Sequence, residues 1–187
     1  MVRLSQTLGR MNTLCHVSEE LNIERFEPRM PPIQSTTVNT PVVWAVAKTH
    51  LANYLLPREC PRVAFRAASG SSEHDLQHFL GFACTTQVVA IEEQWFEYAS
   101  NCTLWLFEFS PEPFVCVDAT AGYFVSTKSV VPVARRRIDR PISELLASGT
   151  ELRVVPSLLE LATEVASSSL AFSCIRMRNA GVGPNAA

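Results

Sequence analysis

No two cysteines of this chain are spaced as CxxC, and no cysteine–histidine set has zinc-finger spacing. A dithiol redox motif and a structural zinc site are therefore not expected. No apolar run reaches about 18 residues, so no helix is expected to cross a membrane. The N-terminus carries Arg3 and Arg10 without a long apolar core, which argues against a secretory signal. Basic residues have no surplus: 16 Lys and Arg face 18 Asp and Glu, for a formal charge of -2. General nucleic-acid binders usually carry a basic face, so that class is disfavoured. There is no GxGxxG, no GxxxxGK and no GxSxG. The glycine-dependent phosphate loops and the nucleophile elbow are thus missing.

What is present suits one domain. The 187 residues are 47% hydrophobic, and a chain of this size buries roughly 70% of its unfolded surface. No staple is needed. The six cysteines, at 15, 60, 84, 102, 116 and 174, sit mostly in apolar runs such as Phe114-Val115-Cys116-Val117. They read as buried free thiols, which implies a reducing compartment and a cytoplasmic location. The expected layout is a flexible tail over 1–12, one globular α+β domain over 13–180, and a frayed end over 181–187. Met11 is a candidate start.

Strands are expected at Thr13–Val17, Pro41–Val46, Gln87–Ile91, Thr103–Phe109, Phe114–Val117, Tyr123–Ser126, Glu151–Val155 and Ser173–Met177. Arg62–Arg66 alternates and reads as half-exposed. Val130–Val133 is extended, and Pro132 marks a sheet edge or strand end. Helical segments are expected at Asn22–Phe26 (one turn, stopped before Pro28), Thr49–Leu56, Glu73–Leu80, Glu92–Ala99, Pro141–Ala147 and Pro156–Ser167. Ser72 is positioned to cap the third of these. Met30–Thr40 reads as a surface loop. Strands follow one another directly from 103 to 133, which favours a mixed or antiparallel α+β fold over a doubly wound one.

Functional residue types concentrate between 14 and 62. His16, at a strand end, can bond a ribose hydroxyl or serve as a base, or it can satisfy a backbone carbonyl. Trp44 and Tyr54 can stack a base, or they can be core aromatics. Arg29, Arg58, Arg62 and Arg66 could supply a fork for phosphate or carboxylate. His74 and His78 share a helix face but lack the HExxH pattern, so no metal is expected. Arg135-Arg136-Arg137 is the basic run and reads as a solvated edge.

Two resemblances follow from these residues. The segments His16-Val17-Ser18-Glu19-Glu20, Ile23 to Arg29, Trp44-Ala45, His50-Leu51, Asn53-Tyr54-Leu55 and Pro57 to Val63 carry the first. Gly122-Tyr123, Val125-Ser126, Glu151 to Leu158 and Ser173 to Asn179 extend it. Over about residues 13–180 the chain resembles a mostly bacterial family of domains of unknown function. That resemblance implies no activity.

More distantly, the order of strand-end histidine, short helix, loop, aromatic strand and short helix is similar to the first half of the ADP-ribosyltransferase-like fold, with its split sheet. This second resemblance implies NAD as cofactor, His16 as ribose contact and catalytic group, and Trp44 or Tyr54 as the ring that stacks nicotinamide. Arg58 and Tyr123 join the expected cofactor-binding set. The strand at 122–126 departs from the pattern, because it has no glutamate; Glu108 and Glu112 are candidate substitutes. The alternatives are a silent nucleotide-binding module and a small accessory protein.

Overall fold

In the computed structural model, residues 13–31, 38–81 and 85–184 are described. The expected tail over 1–12, the candidate start Met11, residues 32–37 of the Pro/Thr loop, Cys84 and residues 185–187 lie outside them. The chain combines helices with mixed sheets, an α+β architecture. It divides into two compact units, one of Met1–Leu51 with Trp105–Arg137, the other of Ala52–Leu104 with Ile138–Ala187.

The first unit is built on six strands: β1 (Leu14–Ser18), β2 (Val43–Ala47), β5 (Leu104–Phe109), β6 (Val115–Asp118), β7 (Tyr123–Ser126) and β8 (Ala134–Ile138), in spatial order β6-β7-β2-β1-β5-β8. β1 runs antiparallel to both its neighbours. Strand alternation puts Trp105, Phe107 and Phe109 on one face. That face buries Leu14, Val43, Ala45, Phe107 and Phe109 together with Phe26 and Val130. Phe26 is not in a helical turn. Its N–H donates to Val130 O at 2.8 Å, and the Val130 N–H donates to Phe26 O at 2.9 Å. Arg29 and Val42 exchange a second such pair at 3.0 Å. Pro28 explains the difference: it biases Glu27 to an extended conformation and cannot donate, so the segment pairs with neighbours instead of coiling. Val130–Val133 is extended as expected, with Val130 bridged to Phe26 and the Val133 N–H donating to Glu108 O at 2.8 Å, and it leads into β8 at the sheet edge.

The second unit holds β3 (Arg62–Arg66), β4 (Gln87–Glu92), β9 (Glu151–Val155) and β10 (Ala171–Ile175), in order β10-β3-β4-β9. β4 and β9 are parallel, and the other two pairings are antiparallel. β3 is a central strand, buried from Arg62 to Phe65, so its alternating pattern is not half-exposed as expected. Val63 and Phe65 on one face lie beneath helices, and Arg62 on the other is covered by the loop from Asn53 to Cys60, whose carbonyls it binds. Helices α1 (Glu73–Leu80) and α4 (Leu159–Ala166) set Phe79, Leu80 and Val165 against Val63, Phe65, Val88 and Ala90. Ser72 caps α1 as expected, its Oγ accepting the Asp75 N–H at 3.1 Å. α2 (Glu93–Asn101) and α3 (Pro141–Ala147) complete the unit. Gly181 and Val182, within the stretch expected to fray, are both bonded: Gly181 N donates to Glu92 Oε2 at 2.8 Å and Trp95 Nε1 to Val182 O at 2.8 Å.

Cys15, Cys60 and Cys102 are buried free thiols, as expected. Cys116 and Cys174 are exposed, because each lies on a strand at the edge of its sheet. No helix among the described residues is long and apolar enough to cross a membrane.

Candidate functional site

The centre of the first unit is the seam between β1 and β2. Their pairing covers only Leu14↔Ala47 and Cys15↔Val46, whereas β1 pairs with β5 over all five residues to Ser18↔Trp105. Beyond Cys15 the two strands part. His16 stands at the parting point, and its Nδ1–H donates to the Trp44 carbonyl at 2.9 Å. A carbonyl can only accept, so Nδ1 carries the proton and the lone pair of the neutral ring lies on Nε2. The alternative in which His16 satisfies a backbone carbonyl is therefore realised.

Strand register sorts the candidate residues by face. His16 is opposite Phe107, so it shares the face of Phe107 and Trp105. Its ring meets Phe26 edge-on at 4.9 Å, and Phe26 in turn contacts Phe107 and Phe109. Trp105 is half-buried and packs against the same cluster. Trp44 lies between Val43 and Ala45, which face that cluster, so its ring points to the other side of the sheet. There it packs with Val38, Val42 and Val125 and meets Tyr123 edge-on at 5.8 Å. His16 and Trp44 are thus joined through main chain while their rings occupy opposite faces.

The Trp44 face carries another row. Tyr123, Val46, Cys15 and Glu108 are successive cross-strand partners. Glu108 lies 3.7 Å from Lys48 Nζ. Burial, followed by the Glu108 charge, pushes the Cys15 thiol up to about 11 against the lowering effect of Lys48 and Arg136. A thiol so placed stays protonated and unreactive at neutral pH.

His50, on the 3₁₀ helix Lys48–Tyr54, has a structural task. Its Nε2–H donates to Thr120 O at 3.0 Å, and Nδ1 accepts from Thr49 Oγ1 at 3.0 Å. Gly122 follows at a φ of 68°. A Cβ there would sit 2.4 Å from His50 Nδ1. Histidine and glycine together fix the turn that delivers Tyr123 into β7.

Tyr54 and Arg58 belong to the second unit. The Tyr54 ring lies beneath the Arg62 guanidinium at 5.8 Å. Arg62 itself is 3% exposed and is committed to main chain, donating to Asn53 O at 3.0 Å and to Pro57 O and Cys60 O at 2.8 Å. Its fork binds the loop before it. The Arg58 side chain is exposed and pairs loosely with Glu59 at 3.9 Å. Burial raises the Glu59 pKa, but the Asn179 amide and the Arg176 and Arg178 charges outweigh it, and the net shift is downward. His74 and His78 stack at 6.1 Å; no group of three metal-ligating side chains occurs among the described residues.

Sequence reasoning passed over Trp105 as a site residue. Its signal was the alternation of Trp105, Phe107 and Phe109, which became informative only when the register placed His16 beside them.

Neither the curated proteins nor the solved structures contain a match to the chain. A family model does match, over residues 15–180, from the buried Cys15 to the residue after Asn179, whose amide donates to Glu59. The chain therefore belongs to the family of unknown function designated DUF6886.

Proposed function

We propose that the first unit is a nucleotide-binding module of the ADP-ribosyltransferase-like type, with NAD or ADP-ribose as its ligand on the His16 face. The observation that carries this reading is the parting of β1 and β2 at His16, with the ring held in one tautomer by the Trp44 carbonyl. His16, at the parting point, then contacts a ribose hydroxyl. Trp105, on the same face, supplies the stacking surface in place of Trp44 or Tyr54. Tyr123 and Trp44 support the strand from behind, and Arg58 takes no part.

Binding is favoured over transfer. Glu108, one of the two candidates for the group that would stabilise an oxocarbenium ion, stands on the opposite face beside Lys48. The silent nucleotide-binding module is therefore the better of the two readings.

Calorimetric titration with NAD and with ADP-ribose tests it. His16→Ala and Trp105→Ala should each weaken binding about tenfold or more, while Trp44→Phe leaves it within about twofold. The parallel thermal assay should show stabilisation near 2.7 kcal/mol for ligand at 100 times its dissociation constant. Absence of binding by wild type would end the nucleotide reading. Nicotinamide release that depends on His16 would replace the module with a transferase.

A further inference from the structure

β8 closes one end of the six-stranded sheet, with β5 on one side and no further strand of the described residues on the other. Ala134, Arg135, Arg136 and Arg137 are all exposed. Val131 and Val133, just upstream, are 56% and 68% exposed. An edge strand presents a row of main-chain N–H and C=O groups able to pair with another strand. Side chains decide which strand is admitted. A second β8 laid antiparallel would oppose arginine to arginine, so a second copy is rejected at this edge. An acidic strand meets opposite charge at each of the same positions. The three arginines are concentrated here in a chain whose formal charge is -2, which makes the edge a local basic feature on an acidic protein.

We propose that the outer edge of β8 binds an acidic segment of a partner protein in extended conformation, by adding it as a seventh strand to the sheet. Main-chain bonds along Ala134–Ile138 supply the adhesion, Arg135, Arg136 and Arg137 select acidic side chains on both faces of the added strand, and Val131 and Val133 receive apolar residues at one end of it.

The test uses the full chain and a short fluorescein-labelled peptide of alternating threonine and glutamate, followed by fluorescence anisotropy. The control peptide replaces each threonine with a pair of prolines; it keeps the charge, and neither edge of it keeps a continuous row of N–H donors. The alternating peptide should bind at least about tenfold more tightly than the proline control. The triple variant Arg135→Glu, Arg136→Glu, Arg137→Glu should lose the glutamate peptide and gain one of alternating threonine and lysine, with its melting temperature near that of wild type. If that variant does not fold, Arg135→Gln with Arg137→Gln should still weaken the glutamate peptide severalfold. Equal binding of the proline control would overturn strand addition. Binding insensitive to the arginine substitutions, preference for duplex DNA over the peptide, or no peptide binding would each overturn the proposal.

Discussion

Replacing Glu92 by glutamine should unfasten the second unit. Glu92 ends β4 and is fully buried. Its Oε1 accepts the Leu158 N–H at 3.1 Å. Its Oε2 accepts the Gly181 N–H at 2.8 Å and the Gln94 amide at 2.9 Å. One carboxylate thus gathers three donors: the residue preceding α4, the C-terminal strap and the start of α2. Glutamine keeps the shape but only one oxygen. In the better of its two orientations the oxygen keeps Gly181 and Gln94, and the new NH2 group faces the Leu158 N–H, donor against donor. A bond to a charged acceptor contributes about 1.5–3 kcal/mol, and a stranded buried donor costs about 1–3 kcal/mol. These overlap, so the expected loss is about 2–4 kcal/mol. For a chain of this size that is a fall of roughly 5–15 °C in melting temperature. Thermal unfolding followed by tryptophan fluorescence reads it, since Trp95 holds the same strap at Val182. Hydrogen exchange should show faster exchange at Leu158 and Gly181. A melting temperature within about 1 °C of wild type, with exchange unchanged, would refute the convergence of these bonds.

Gly122→Ala forces a Cβ into the His50 ring at a backbone angle that L-residues rarely adopt, so a loss of about 1–3 kcal/mol is expected in denaturant unfolding. Asp75 is bonded by the Ser169 hydroxyl, the Ser169 N–H and Ser72, which hold its carboxyl well below the usual carboxylate range. Its folded pKa is depressed, so its contribution is present above the unfolded value near about 3.9 and fades as pH falls toward the folded one. Melting curves between pH 7 and pH 3 should therefore decline less steeply at the acid end for Asp75→Asn. Iodoacetamide at pH 8 should label Cys116 faster than Cys174, since burial raises the Cys174 thiol. Cys15 should stay unmodified until the chain unfolds, and its early labelling would contradict its burial.

The local elements were legible in the residues because they follow from short-range rules. Alternation marked β5, Ser72 marked the start of α1, and Pro141 with Gly149 bracketed α3. The α+β class followed from the order of these elements. The turn at Asn22–Phe26 was misjudged because a distant partner, Val130, captured its main chain. Cys116 and Cys174 were misjudged because apolar neighbours imply burial only for a strand that has a neighbour on each side.

The site depended on information that spacing does not carry. His16 and Trp44 are close in the fold, yet a strand alternates its side chains. A single pairing, His16 opposite Phe107, decided that the histidine shares its face with Trp105 and not with Trp44. Glu92 looked like an ordinary first residue of a helix, and its role required Leu158 and Gly181 to arrive from far along the chain. Arg62 looked available to an anion, and became a clamp only once the loop from Asn53 to Cys60 folded over it. Periodicity and capping act over a few residues and are written in the order of amino acids. Face, edge and burial belong to whole sheets, and only the tertiary structure decides them.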